Sequence, residues 1–212
     1  MNNAILFDLD GTLWDTVAGV VHAWNQVLAA HPEAHASLTT YDMCSYMGKT
    51  TLEIARLMIP ELNDEERMII MDECAENEHK YLHDNRAFRL FDGIAETLPA
   101  LAEAYPLYII SNCQSGYIEL FLELTGFKKY FAGHTCPGDT GMTKGDNILF
   151  ILDRYQIDRA FYLGDTTGDE RAARHAGIPF VHAAYGFGSA EAPDAVLPRF
   201  ADLPALAEKL LS

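Results

Sequence analysis

The sequence predicts an α/β fold in which a doubly wound parallel sheet is interrupted, after its first strand, by a helical insertion. The apolar run from Ala4 to Leu9 is typical of a buried strand. The stretch from Thr16 to His83 then shows helical periodicity and little that resembles a strand. From Gly93 onward, short apolar runs alternate with helical patterns, as expected for parallel strands that are covered by helices.

The predicted elements follow in chain order. Helical periodicity in the insertion covers four stretches, which are Thr16 to Ala30, Thr39 to Met47, Thr50 to Met58 and Asp64 to His83. The later strands are predicted at Leu107 to Ser111, Phe131 to Thr135, Ala160 to Leu163 and Pro179 to Ala183. The helices beside them are predicted at Ile94 to Ala104, Gly116 to Leu124, Gly145 to Tyr155 and Gly168 to His175. We therefore expect an α/β core formed by residues 1–15 and 84–212, and a helical insertion at residues 16–83.

The composition is that of a globular protein. With 212 residues, of which 49% are hydrophobic and 22% are charged, the chain can form one sizeable core and a small appended unit. The formal net charge of -16 disfavours binding to nucleic acid or to an anionic membrane. No basic leader precedes the first apolar run and no stretch approaches a membrane span, so we expect a cytoplasmic protein. The four cysteines lack paired spacing and are expected to be reduced thiols, mostly buried.

The segment Asp8-Leu9-Asp10-Gly11-Thr12, which follows the first strand, is the most informative motif. Two carboxylates two positions apart can face one small volume, where one can attack an electrophile and the other can move protons. Gly11 supplies a turn that a residue with a β-carbon resists, and Thr12 adds a hydroxyl beside backbone amides that can hold phosphate oxygens. The alternative is an ordinary acidic turn after a strand. The motif indicates phosphoryl-transfer chemistry.

Polar residues also end two later strands. Ser111 and Asn112 end one strand, Asp165 ends another, and Asp169 follows it. Lys144, just before a helical pattern, can lean toward the same crevice and offset the negative charge that would repel a phosphorylated substrate. Taken singly, these residues are turn and cap residues or a solvated lysine. Because ligands of such sheets bind beyond the carboxyl ends of the strands, together they predict one site.

In this order, the motifs resemble those of the haloacid dehalogenase superfamily, in the subgroup with an α-helical cap that includes phosphoglycolate phosphatases and β-phosphoglucomutases. The resemblance extends over essentially the whole chain and implies a Rossmann-like core. The four family motifs correspond to Asp8 to Thr12, to Ser111, to Lys144, and to Gly164-Asp165 through Asp169. One departure is Gly145, where many family members have proline after the lysine. It leaves Lys128 or Lys129 as alternatives to Lys144.

The resemblance implies a mechanism and a cofactor. Asp8 would be the nucleophile that forms an aspartyl-phosphate, and Asp10 would act as general acid and then as general base. Mg²⁺ would be held by the Asp8 carboxylate, the Asp10 backbone carbonyl and Asp165, with Asp169 as a direct or water-mediated support. The residues that would bind the phosphoryl oxygens are Gly11, Thr12, Ser111, Asn112 and Lys144.

Substrate choice is expected to reside in the helical insertion, which by the same resemblance is a cap that closes over the site. The candidate selectivity residues are Asp15, His22, Gly48 and Lys49. Lys49 would meet a substrate carboxylate or hydroxyl, or else is an exposed lysine after a helix-ending glycine. His22 would face the cleft, or else is a packed or surface histidine.

The function expected from the resemblance is a Mg²⁺-dependent phosphatase that acts on a small phosphorylated metabolite. Asp10 favours phosphate-ester chemistry over dehalogenation, which needs no acid at that position. A sugar-phosphate mutase would use the same residues, but the mutases often have an acidic pair where this chain has Gly164-Asp165, which favours a hydrolase. A sensor without activity is a third alternative, although binding alone has no need for Asp10.

Overall fold

The computed structural model describes residues 2–212 and contains one six-stranded parallel sheet. Its strands are β1 (Asn3–Phe7), β4 (Leu107–Ile110), β5 (Gly133–Thr135), β6 (Arg159–Gly164), β7 (Phe180–Ala183) and β8 (Ala195–Leu197). They lie in the order β5-β4-β1-β6-β7-β8. The predicted doubly wound parallel sheet is therefore confirmed, with β1 between β4 and β6.

Helices cover both faces of the sheet. The side chains of Ile5 and Phe7 face α5 (Ile94–Ala104) and α10 (Leu203–Leu211). Those of Ala4 and Leu6 face the opposite side, where α8 (Lys144–Arg154) and α9 (Thr167–Ala176) pack. Because both faces of β1 are buried, its sequence is an unbroken apolar run without polar alternation. The carboxyl ends of β1, β4 and β6 consequently lie side by side at one edge of the sheet.

Four helices lie between β2 (Trp14–Asp15) and β3 (Arg89–Leu90) and form what we call the helical segment. They are α1 (Val17–Leu28), α2 (Thr40–Tyr46), α3 (Thr51–Met58) and α4 (Asp64–Asn85). A capping box begins each of α2, α3 and α4, with Thr39, Thr50 and Asn63 as the capping residues. The short strands β2 and β3 pair antiparallel, so the chain leaves the core and returns to it at one place.

Several elements differ from the prediction. The prediction lacks β2, β3, β8, α7 (Pro137–Thr140) and α10, although the apolar residues of α10 recur at helical spacing. Strands and helices of two to four residues are too short to show periodicity, and Val196 in the edge strand β8 is exposed. The predicted strand from Phe131 is shorter, because the chain up to Tyr130 forms a 3₁₀ turn. Helix α6 (Tyr117–Thr125) lies one residue later than predicted.

Helix α8 begins at Lys144 instead of Gly145, since the Thr143 side chain caps it by accepting a hydrogen bond from the amide of Asp146. The four cysteines are free, and all but the half-buried Cys44 are buried, as expected. Within residues 2–212, no helix is both long enough and apolar enough to span a membrane.

Candidate active site

The edge of the sheet where β1, β4 and β6 end carries the predicted polar side chains. Asp8 directly follows β1, and its amide donates a hydrogen bond to the carbonyl of Leu163 at 2.8 Å. Asp8 and Asp10 both lie after the last residue of the strand and line one cavity together with Ser111 and Asn112. Parallel pairing of the three strands is what brings these residues together.

Lys144 provides the positive charge next to Asp8. It is 5% exposed, and its Nζ donates to Asp8 Oδ1 at 2.9 Å and to Asp169 Oδ1 at 2.6 Å. Burial lowers the pKa of Lys144, but the two carboxylates outweigh it and raise the pKa well above its usual value. The alternatives, Lys128 and Lys129, are exposed in the 3₁₀ turn. The lysine at the site is therefore Lys144.

Gly145 allows α8 to approach α9 closely. A Cβ atom at Gly145 would lie 2.7 Å from the ring of His175. Helix α8 packs against α9 through this contact. The residue that departs from the usual proline thus has a packing reason in this chain.

Three carboxylates form a buried cluster at the site. Oxygen atoms of Asp8, Asp165 and Asp169 all lie within 4.8 Å of one another. Asp165 Oδ2 accepts hydrogen bonds from the amides of Phe187 at 2.8 Å and Gly188 at 3.1 Å, whereas its buried Oδ1 has no partner in the described chain. Burial and the neighbouring negative charges raise the pKa of Asp165 well above its usual value.

The donor atoms of this cluster fit a divalent cation such as Mg²⁺. All of them are carboxylate oxygens, which Mg²⁺ prefers, and their three charges exceed the single charge of Lys144. The unpartnered Oδ1 of Asp165 is available to bind a cation, because no group among residues 2–212 forms a hydrogen bond with it. Asp169 differs, since its Oδ1 accepts from Lys144 and its Oδ2 from the amide and hydroxyl of Thr166. It holds Lys144 in place more than it offers a free ligand.

The loop of Gly11 and Thr12 lies close against Asp165. Gly11 has a φ of +81°, and a Cβ atom there would lie 2.4 Å from Asp165 Oδ2. The amides predicted to hold phosphate are used inside the loop, where Gly11 donates to Trp14 and Thr12 to Leu9. Thr12 is fully buried and its Oγ1 has no partner in the part of the chain that the structure describes. Gly11 and Thr12, which the sequence predicts to bind phosphate, therefore shape this loop and do not line the cavity.

Asp10 lies in a different environment from Asp8. Its Oδ1 accepts hydrogen bonds from the hydroxyls of Tyr117 at 3.0 Å and Thr16 at 3.2 Å. Burial raises the pKa of Asp10 to about 6, although these hydrogen bonds oppose the rise. Tyr117, at the first position of α6, was not foreseen, because no pattern in the sequence connects that position with Asp10.

The helical segment forms the other wall of the cavity, which has a volume of about 70 Å³. Gly48 and Lys49, which the sequence predicts as selectivity residues, line it, and the Gly48 carbonyl accepts a hydrogen bond from Asn112 Nδ2 at 2.9 Å. His22 does not line it, since it is exposed and stacks on Tyr81 with ring centroids 4.6 Å apart. Asp15 is paired with Arg89 at 2.9 Å and also lies off the cavity.

Glu78 on α4 is a site residue that the sequence did not indicate. Its side chain lines the cavity, is 4% exposed, and accepts a hydrogen bond from Trp24 Nε1 on α1 at 2.5 Å. Burial raises the pKa of Glu78 to about 8, with a further contribution from the charge of Asp10. A polar residue on a mostly polar helix gives no signal of burial, which here results from the packing of α1 on α4.

This raised pKa has a consequence for stability. The pKa of Glu78 is 4.5 in the unfolded chain and about 8 in the native protein. Between these two pH values, native Glu78 holds a proton that the unfolded chain releases. The free energy of unfolding should therefore fall with rising pH in this window, by up to about 1.4 kcal/mol per pH unit from this group. Urea unfolding across the window should show a shallower fall for Glu78→Gln than for the wild type. The exposed neighbour variant Glu76→Gln should keep the wild-type slope, and equal slopes for all three would contradict the burial effect.

Comparisons with known proteins identify relatives along the whole chain. The family model described as haloacid dehalogenase-like hydrolase matches residues 5–183. The chain is 32% identical over 229 residues to a phosphoglycolate phosphatase from Agrobacterium fabrum, with 98% of this chain and 93% of that protein covered.

Solved structures with the same fold include two at high structural similarity. A putative haloacid dehalogenase-like hydrolase from Bacteroides fragilis has a TM-score of 0.84 at 23% identity, covering 96% of this chain and 100% of that one. A putative phosphoglycolate phosphatase from Lactobacillus plantarum also has a TM-score of 0.84, at 17% identity, covering 97% and 100%. Both likenesses concern the fold.

Proposed function

The chain belongs to the haloacid dehalogenase-like hydrolase family, and from this membership we propose that it is a magnesium-dependent phosphatase that hydrolyses a small phosphate monoester through an aspartyl-phosphate. The observation that carries the proposal is the contrast between two neighbouring carboxylates. Asp8 accepts a hydrogen bond from the charged Lys144 within the acidic cluster, whereas Asp10 accepts hydrogen bonds from the neutral hydroxyls of Tyr117 and Thr16. Two carboxylates in such different surroundings are suited to two roles, nucleophile and acid.

In the first step, an oxygen of Asp8 attacks phosphorus and the bond from phosphorus to the leaving oxygen breaks. Asp10 gives its proton to that oxygen, and the alcohol departs. In the second step, ionised Asp10 takes a proton from water, whose oxygen attacks the phosphorus of the aspartyl-phosphate. Inorganic phosphate leaves and Asp8 is restored.

The other residues act on charge and position. Lys144 and the hydroxyl of Ser111 bind phosphoryl oxygens. Asp8, Asp165 and the backbone carbonyl of Asp10 would hold Mg²⁺, which would neutralise charge on the phosphoryl group. Burial and the Asp169 carboxylate raise the pKa of Asp8 to about 7, although Lys144 opposes this rise; a bound divalent cation would further favour the ionised carboxylate that attacks.

The proposal is tested by metal dependence. With Mg²⁺ the purified protein should release inorganic phosphate from p-nitrophenyl phosphate, and a chelator should abolish this release. Mg²⁺ should also raise the melting temperature of the wild type, because a ligand that binds only the folded state stabilises it. Asp165→Asn should lose both effects. Full activity in the presence of the chelator would overturn the proposal, and formation of a sugar-phosphate isomer without release of phosphate would favour a mutase.

The acid role of Asp10 predicts a dependence on the leaving group. Asp10→Asn should lose about 10²- to 10⁴-fold in rate on alkyl phosphates, whose alcohols need a proton to leave. It should lose much less on p-nitrophenyl phosphate, because nitrophenolate leaves without one. Steady-state rates on both substrates check this prediction, with Tyr117→Phe as a milder variant that removes one hydrogen bond to Asp10. Equal losses on both substrates would rule out the acid role.

A further inference from the structure

We propose that Glu78 selects leaving groups that carry an ammonium group, so that the substrate is the phosphate monoester of a small amino alcohol. This inference deepens the phosphatase function proposed above and rests on it. It places the selectivity of the enzyme on α4, at a residue outside the motifs that perform the chemistry.

The position of the leaving group follows from Asp10. The acid that protonates the leaving oxygen must be next to it, so the leaving group extends from Asp10 into the cavity. That cavity runs from Asp8 and Asp10 at the sheet edge to the helical segment, where Glu78 lines it.

Among the described residues, Glu78 has no cation of its own. No ion pair joins Glu78 to a lysine, arginine or histidine within residues 2–212; Trp24 donates a hydrogen bond to it, and Gln114 lines the same cavity. Lys49, the one cationic side chain within residues 2–212 that lines the cavity, donates from Nζ to the carbonyl of Ser45 at 3.0 Å. Without a counter-ion the buried Glu78 carboxyl keeps its proton at neutral pH, and an ammonium group in the cavity would favour the ionised form and pair with it.

The remaining walls suit an organic cation. Aromatic side chains of Trp24, Tyr46 and Tyr117 line the same cavity, and aromatic rings attract ammonium groups. Most other lining residues from the helical segment are apolar, namely Val20, Met43, Met47, Ile54, Met71 and Ala75. A leaving group with a carboxylate would form no such ion pair, because a second negative charge in the cavity keeps Glu78 protonated. The relative from Agrobacterium fabrum is named a phosphoglycolate phosphatase, and the leaving group of phosphoglycolate carries such a carboxylate.

The experiment compares phosphoethanolamine, glycerol 1-phosphate and phosphoglycolate as substrates with Mg²⁺, each relative to p-nitrophenyl phosphate. For the wild type, kcat/KM on phosphoethanolamine should exceed that on the other two by about 10- to 100-fold, as expected for a charge-assisted hydrogen bond. Glu78→Gln should lose this preference, chiefly through a higher KM for phosphoethanolamine. Glu78→Asp should retain part of it, and the exposed matched variant Glu76→Gln should retain all of it.

Each failure has its own signature. No turnover of p-nitrophenyl phosphate would overturn the phosphatase function itself. Turnover with a preference for phosphoglycolate that Lys49→Gln removes would leave the phosphatase intact and overturn the ammonium proposal. A preference for glycerol 1-phosphate, or a preference for phosphoethanolamine that survives in Glu78→Gln, would overturn it as well. If a variant at position 78 does not fold, the ranking of kcat/KM values of the wild type on the three substrates still tests the ammonium proposal.

Discussion

Asp8→Asn should reduce turnover of p-nitrophenyl phosphate by about 10⁴-fold or more, since removal of a nucleophile leaves only the residual catalysis of the rest of the site. The asparagine amide has nearly the same shape but cannot attack phosphorus. Lys144 keeps its ion pair with Asp169 in this variant, and the buried cluster loses one of its three negative charges, so folding should be preserved. The loss should therefore appear in kcat and not in the unfolding midpoint.

The measurement is the rate of nitrophenolate release at saturating substrate with Mg²⁺. Asp153→Asn, an exposed change on α8, is the matched control and should behave as the wild type. Mass spectrometry of the variant should exclude deamidation of the introduced asparagine back to aspartate, which would restore activity in part of the sample. A homogeneous Asp8→Asn protein with the wild-type rate would show that Asp8 is not the nucleophile.

Lys144→Met should be the most destabilising single change at this site. It leaves Asp8 and Asp169 buried without the cation that both contact. Removing one partner of a buried ion pair lowers the free energy of unfolding by about 3–5 kcal/mol. Turnover should also fall by about 10²- to 10³-fold, because the phosphoryl oxygens lose a preorganised positive charge.

Urea unfolding at neutral pH without metal measures this loss, with Lys129→Met on the exposed 3₁₀ turn as the control. The stability difference between Lys144→Met and the wild type should also depend on pH. Because the pKa of Asp8 and of Asp165 is raised in the folded protein, these groups take up protons readily as the pH falls, and the difference between variant and wild type should shrink. A Lys144→Met protein as stable as the wild type at neutral pH would refute the role of this ion pair.

The closeness of Asp8 and Asp165 could be predicted from the sequence, because it follows from the topology of a parallel sheet. Asp8 and Asp165 each directly follow a strand of a parallel sheet, and such sheets bring the carboxyl ends of all their strands to one edge. Their closeness therefore depends on topology, which the alternation of apolar runs and helical patterns predicts. Lys144 and Asp169 follow from the same topology, because each lies in the first turn of a helix that starts at this edge.

Glu78 and Tyr117 could not be predicted in this way. Each reaches the site from the side of a helix, so its contribution depends on how that helix is rotated and packed. Burial of Glu78 depends on Trp24 of α1, far away in the sequence. The use of the Gly11 and Thr12 amides inside their own loop is equally a matter of local backbone path, which residue types alone do not fix.

The pairing of Asp15 with Arg89 in the β2–β3 ladder has a consequence for how such proteins diversify. Because the two ends of the helical segment meet at a single point, we expect the core to tolerate changes in the length or content of the segment as it would in a surface loop. Exchange of the whole segment between relatives would alter which leaving group is accepted and leave the aspartates of the core in register. New substrate ranges can thus arise by transplantation, without any rebuilding of the chemistry beneath.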